Sequence, residues 1–173
     1  MNVLYYLALN FIIYSFIGWI IEELYSFVVN GKFKKEGFLR GPFKPMYGIA
    51  ISLLILCHEI LGIDGIPMIL LCFLIPTTVE YISGYLLKHI FNKVYWDYSK
   101  LKFNLQGIVT LQFSLYWTFL SFIAVYFLQP IILNIYVRQG KFLIGAAMIG
   151  IIVFLVDFFI TARRYGLALA NKM

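Results

Sequence analysis

Long apolar runs, separated by short polar stretches rich in glycine and proline, set the pattern of this chain. Five runs, residues 3–29, 46–63, 66–90, 107–128 and 142–161, approach or exceed the roughly 20 residues that cross a bilayer core as helix. The second is the shortest. A further apolar piece, 131–137, follows Pro130 and either extends the fourth helix past a kink or lies in the interface. Small and polar residues recur inside the runs at helical spacing. Ser15, Gly18, Glu22 and Ser26 mark the first, and Gly48, Ser52 and Glu59 the second. Thr77, Glu80, Gly84 and Lys88 mark the third, Gly107, Thr110, Ser114, Thr118 and Ser121 the fourth, and Gly150, Asp157 and Thr161 the fifth. Such stripes let helices approach closely in lipid and bond across one another. They would equally line a polar cavity. The pattern predicts an all-α integral membrane protein, one polytopic domain over 1–173, with a bundle of about five transmembrane helices.

Composition agrees with this reading. The chain is 62% hydrophobic, and its mean hydropathy is +0.89. Its 173 residues suffice for one membrane domain and no second soluble one. Met1-Asn2-Val3 has neither a basic leader nor a small-residue cleavage site, so the first run reads as a retained span. Cys57 and Cys72 fall in different apolar runs and read as buried thiols, not a disulfide framework.

Charge then sets the orientation. Lys32, Lys34, Lys35, Arg40 and Lys44 follow the first run; Lys88, Lys93, Lys100 and Lys102 surround the end of the third; Arg163, Arg164 and Lys172 close the chain. With five spans these twelve fall on one side, leaving only Arg138 and Lys141 on the other. The positive-inside rule places the N-terminus out and the C-terminus in the cytoplasm, in a multi-pass protein of the cell membrane. The net charge of +6 is therefore a loop property, and the expected partner is the lipid bilayer, with no nucleic acid.

The acids carry the candidate chemistry. An ionisable group at membrane depth costs about 2.5–3.5 kcal/mol on insertion scales, and it persists when paired, hydrated or used. Glu22 lies roughly 10 Å from the inner end of its run, and Glu80 about 21 Å below the outer start of its own. Asp157 lies a turn above the inner end of the fifth run. All three share the cytoplasmic half with Arg40, their natural partner, and with Arg163 and Arg164. Glu22, Glu80, Asp157, Arg40 and Asp97 form the predicted intramembrane polar network or substrate-binding site. Glu59 stands apart and is expected to point toward the outer headgroups. Gly41, Pro42, Phe43 and Pro45 cannot continue a helix and must form a shaped turn. Trp96 and Tyr98 suit the interface, Asp97 and Ser99 can bond backbone N–H groups in a turn, and Asn104 can cap the fourth helix. His58 and His89 are lone histidines, so no metal is expected. No catalytic constellation stands out, and Gly140-Lys141 lacks the rest of a phosphate-binding loop. The expectation is a non-enzyme without a cofactor.

A set of motifs resembles a known family. Gly18-Trp19 with Glu22, Gly41-Pro42-Phe43 with Pro45 and Tyr47-Gly48, Glu80-Tyr81 with Gly84, Trp96-Asp97-Tyr98-Ser99 with Phe103-Asn104 and Gly107, and Ser114 with Trp117 follow in order. Together, over roughly residues 14–130, they look like the bacterial "putative ABC-transporter type IV" membrane family. The chain departs from that pattern at Lys44, where a small residue or Cys is expected, and at Lys88, where an acid is common. It departs again at Ile108-Val109-Thr110, which replaces an arginine-containing stretch. The resemblance implies a polytopic bacterial membrane protein acting as a permease-like or substrate-binding subunit with a separate ATPase. The alternative is a non-transporting membrane scaffold or regulatory partner.

Overall fold

A computed structural model describes residues 2–33 and 37–170. The basic residues Lys34, Lys35 and Lys172 lie outside the described residues. Helix α1 runs Val3–Asn30, α2 Pro45–Ile55 with a π-helical turn Leu56–Ile60, and α3 Ile66–Phe91. A two-stranded hairpin follows, β1 Asn104–Leu105 and β2 Val109–Thr110. Helix α4 runs Leu111–Ile123 and continues through a second π turn, Ala124–Leu128, into α5, Gln129–Ala170. The first three predicted runs recur as separate helices, whereas the fourth and fifth fall within one continuous helical path.

Capping chemistry fixes several ends. Asn2 accepts the Leu4 N–H to start α1, and Gly31 ends it in a left-handed conformation. Pro45 opens α2 at a position where its missing N–H costs nothing. Pro130 sits inside the helical path, so 131–137 continues the helix that begins with α4. The preceding π turn widens the helix where a proline ring would otherwise press on the carbonyl of Tyr126. Within α5 the helical geometry is interrupted at Gln139, with φ −128° and ψ 25°.

Val3–Asn30, Ile66–Phe91 and Leu111–Gly166 are long and apolar enough to cross a membrane, and Pro45–Ile60 is a shorter apolar helix. The architecture is that of an all-α membrane protein with one small hairpin added. That hairpin corrects the expectation that the fourth helix begins at Gly107. The residues 108–110 are β-branched, and Val109 and Thr110 pair with β1 in the register Asn104↔Thr110 and Leu105↔Val109. Gln106 and Gly107 both have positive φ, 55° and 71°, as a type I′ turn requires.

Helix α1 packs on α2 and α5, and α3 lies between α2 and α4. The α1–α2 contact is close because of Gly48. A β-carbon there would stand 2.2 Å from the Ser15 hydroxyl and 2.4 Å from the Phe11 carbonyl oxygen. The apolar core gathers Tyr6, Leu9, Leu54, Ile55, Met68, Cys72 and Val125 from four elements. Outward faces stay strongly apolar, with Leu4, Val28, Ile66, Phe119 and Phe159 exposed, as lipid-facing surfaces require.

The two ends of the bundle differ. Phe38 packs against Phe91, Phe158 and Tyr165, which brings the segment after α1, the end of α3 and the end of α5 together. This is the basic end. At the opposite end Tyr6 of α1 meets Glu59 and Tyr136, and Tyr126 donates to Asp64.

Candidate functional site

Glu80 is the deepest acid, with 2% of its surface exposed. Its two oxygens are held separately. The Tyr98 hydroxyl donates to Oε1 at 3.2 Å, and the Trp117 indole N–H donates to Oε2 at 2.9 Å. Helix α3, the loop before the hairpin and α4 thus meet on one carboxyl. Tyr47 of α2 packs edge-on against Trp117, with centroids 4.8 Å apart, and its ring covers Gly18 of α1. A β-carbon at position 18 would fall 2.3 Å from that ring, so the glycine admits Tyr47 to the site. The Tyr47 hydroxyl lies within electrostatic reach of both Glu22 and Glu80, which themselves interact.

Glu22 is paired, but not with the expected cation. Lys44 donates its ammonium to Glu22 Oε2. Lys44 also gives its backbone N–H to the Ser15 carbonyl at 2.9 Å, which pins the turn onto α1 and aims the side chain along it. Lys44 therefore supplies the ion pair to Glu22. Arg40 does something else. Its backbone N–H, with that of Gly41, donates to Asp157 at 3.3 and 2.8 Å, and the Thr161 hydroxyl donates to the same carboxylate at 3.3 Å. Among the described residues Arg40 forms no ion pair with Glu22 or Glu80. Its backbone is docked over α5, and its side chain is exposed.

Asp97 also leaves the predicted network. It is exposed, and its Oδ1 accepts the Ser99 N–H at 2.9 Å. That bond, with Lys88 and Lys100 nearby, holds its carboxyl below the usual carboxylate range. The Trp96 indole donates to the Ile108 carbonyl at 2.8 Å, and the Tyr98 N–H donates to the Gly107 carbonyl at 2.8 Å. Asn104 does not cap α4. It donates to the Leu101 carbonyl at 2.7 Å and accepts the Gly107 N–H at 3.0 Å, closing the hairpin. The motif loop is thus a clamp that delivers one group, the Tyr98 hydroxyl, to Glu80. Burial and the adjacent carboxylate push the Tyr98 phenol upward, so it stays protonated and remains a donor.

The polar cluster at the other end was not foreseen. Tyr6 donates to Glu59 at 2.7 Å and accepts from the Gln129 amide at 2.6 Å, and Tyr14 donates to the Gln129 carbonyl at 2.8 Å. Tyr6, Gln129 and Tyr14 are buried. Glu59, carried on the π turn, therefore turns toward Tyr6 of α1 and not toward the headgroups. Tyr14 also donates to the Ala124 carbonyl, at the start of the other π turn. Helical spacing of Tyr6, Asn10 and Tyr14 was the available signal, but tyrosines in an apolar run read as core or interface.

The arrangement holds acids inside a helix bundle with neutral donors at Glu80 and a lysine at Glu22. It can hold a proton or take a polar or cationic group. Among the described residues no three His, Cys, Asp or Glu side chains cluster as metal ligands.

Comparison with known proteins gives one family. The family model described as "Putative ABC-transporter type IV" matches residues 9–162. No solved structure matches the chain.

Proposed function

The chain belongs to the "Putative ABC-transporter type IV" family, and from that premise we propose that it is a permease-like or substrate-binding membrane subunit working with a separate ATPase. A transport-related role follows from the family name. In this reading the helical path crosses the bilayer five times, breaking at Gln139, with the basic end in the cytoplasm. The observation that carries it is Glu80, an ionisable group retained among the helices despite its cost, with Glu22 and Tyr47 beside it. Polar solute would reach these acids from the basic end. An energised step needs a partner, since the sequence has no phosphate-binding loop of its own. The ATPase would dock on the loops after α1 and α3, which present exposed Lys100 and Lys102.

One observation favours the alternative, a non-transporting scaffold or regulatory partner. Each oxygen of Glu80 already has a donor, which suits a network that only fixes helix positions. Affinity purification from native membranes separates the readings. The permease reading expects an ATPase to co-purify with the chain and to be lost on Lys100→Glu with Lys102→Glu. Absence of any ATPase, with no change of phenotype when neighbouring ATPase genes are deleted, leaves the scaffold reading.

A further inference from the structure

The segment 37–40 and the last turns of α5 enclose a polar cleft of about 350 Å³, lined by Arg40, Thr161, Arg164 and Tyr165 among others. Arg40 and Arg164 are exposed, and among the described residues neither guanidinium has a carboxylate partner. Among the described residues the acid close by is Asp157, which directs its oxygens to the Arg40 and Gly41 N–H groups and the Thr161 hydroxyl. A third cation adjoins the cleft, since Lys93 Nζ stands 4.9 Å from the centroid of the Tyr165 ring. Tyr165 is itself fixed by a hydrogen bond from the Tyr95 hydroxyl at 3.3 Å and by the Phe38 ring. Among the described residues the cleft therefore carries a surplus of positive charge. Guanidinium forks match phosphate oxygens in geometry and charge.

We propose that this cleft binds a phosphate-bearing anion between Arg40 and Arg164. Two sources share that chemistry: the headgroup of an anionic phospholipid and a soluble phosphate. The surroundings favour the lipid. Phe159 and Ile160, beside Thr161, are exposed apolar residues along which acyl chains would lie. The inference goes beyond the transport reading and does not depend on it.

The test uses the full chain purified in detergent. Binding of short-chain phosphatidic acid, short-chain phosphatidylcholine and inorganic phosphate is measured for the parent and for Arg40→Gln, Arg164→Gln and the double variant. Arg138→Gln, at the opposite end, controls for loss of charge alone. Arg40→Gln keeps the backbone N–H on Asp157, and an unchanged unfolding temperature without ligand verifies the fold. Phosphatidic acid should bind the parent and weaken about tenfold or more in the double variant. Arg138→Gln should weaken it less than about twofold, and phosphatidylcholine should bind poorly throughout. Inorganic phosphate binding as well as phosphatidic acid, with the same arginine dependence, would support the site and assign it to a soluble anion. Equal binding by parent and double variant, or no binding of either phosphate probe, would overturn the proposal.

Discussion

At the basic end Glu80 is gripped by donors from a loop and a helix, whereas at the opposite end Glu59 accepts from a single tyrosine that Gln129 holds in turn. The first acid is buried and each oxygen has its own donor. The second is half-buried and belongs to a chain of side chains that runs from Glu59 through Tyr6 and Gln129 to Tyr14. An acid fixed by several elements couples their positions. An acid at the end of a chain reports on one contact. The difference predicts that substitutions at the two ends will not be equivalent, although both ends contain Tyr–Glu hydrogen bonds.

The largest effect should come from Glu80→Leu. It leaves the Trp117 and Tyr98 donors without their acceptor in a buried place, at a cost of about 3 kcal/mol. Glu80→Gln keeps hydrogen-bonding capacity and should cost about 1 kcal/mol. Glu59→Leu, losing one acceptor, should cost about 1 kcal/mol as well. Unfolding in detergent by denaturant measures all three, and equal losses for Glu80→Leu and Glu59→Leu would erase the contrast. Next is Gly48→Ala, whose β-carbon meets the Phe11 carbonyl and Ser15. Overpacking there should cost roughly 2 kcal/mol, while Gly145→Ala, with nothing within 4 Å, should stay within about 0.5 kcal/mol.

Tyr6→Phe removes the hydroxyl that joins Glu59 to Gln129, and about 1 kcal/mol should go with it. Adding Glu59→Leu to Tyr6→Phe should then cost little more, because both break the same bond. The smallest effect concerns Asp97. A carboxyl held low in the folded state contributes above its unfolded value, and the contribution is lost as pH falls through the folded one. The loop around Trp96 should therefore loosen only below about pH 4, read as a lower protection of the Ser99 amide relative to its intrinsic exchange rate. Asp97→Asn should make that protection insensitive to acid.

Much of the basic end could be read from residue order. Gly18, Gly41, Gly48, Glu80, Trp96 and Trp117 stand in the motifs, and each has a defined task in the structure. Depth along a helix follows from counting, and Glu22 and Glu80 lie within electrostatic reach of each other. Partners were harder. Whether Arg40 or Lys44 faces Glu22 depends on how one turn docks, and the Ser15 carbonyl decides it. The hairpin was missed because 107–110 borders an apolar run, and two positive-φ residues outweighed helical periodicity. The Glu59 chain was missed for a different reason: its members come from α1, α2 and α5 and share no local pattern.

The π turns at Leu56–Ile60 and Ala124–Leu128 carry a consequence for counting itself. A π turn amounts to one residue inserted into a helix, so every side chain beyond it is rotated by about 100° from where a regular helix would set it. A helical wheel drawn through 111–138 without that step assigns Gln129 to the wrong face. The orientation beyond that turn is thus stored as chain length rather than as residue type. Deleting a single residue within Ala124–Leu128 would restore regular winding while redirecting a whole face, with no change in the hydrophobicity of the segment.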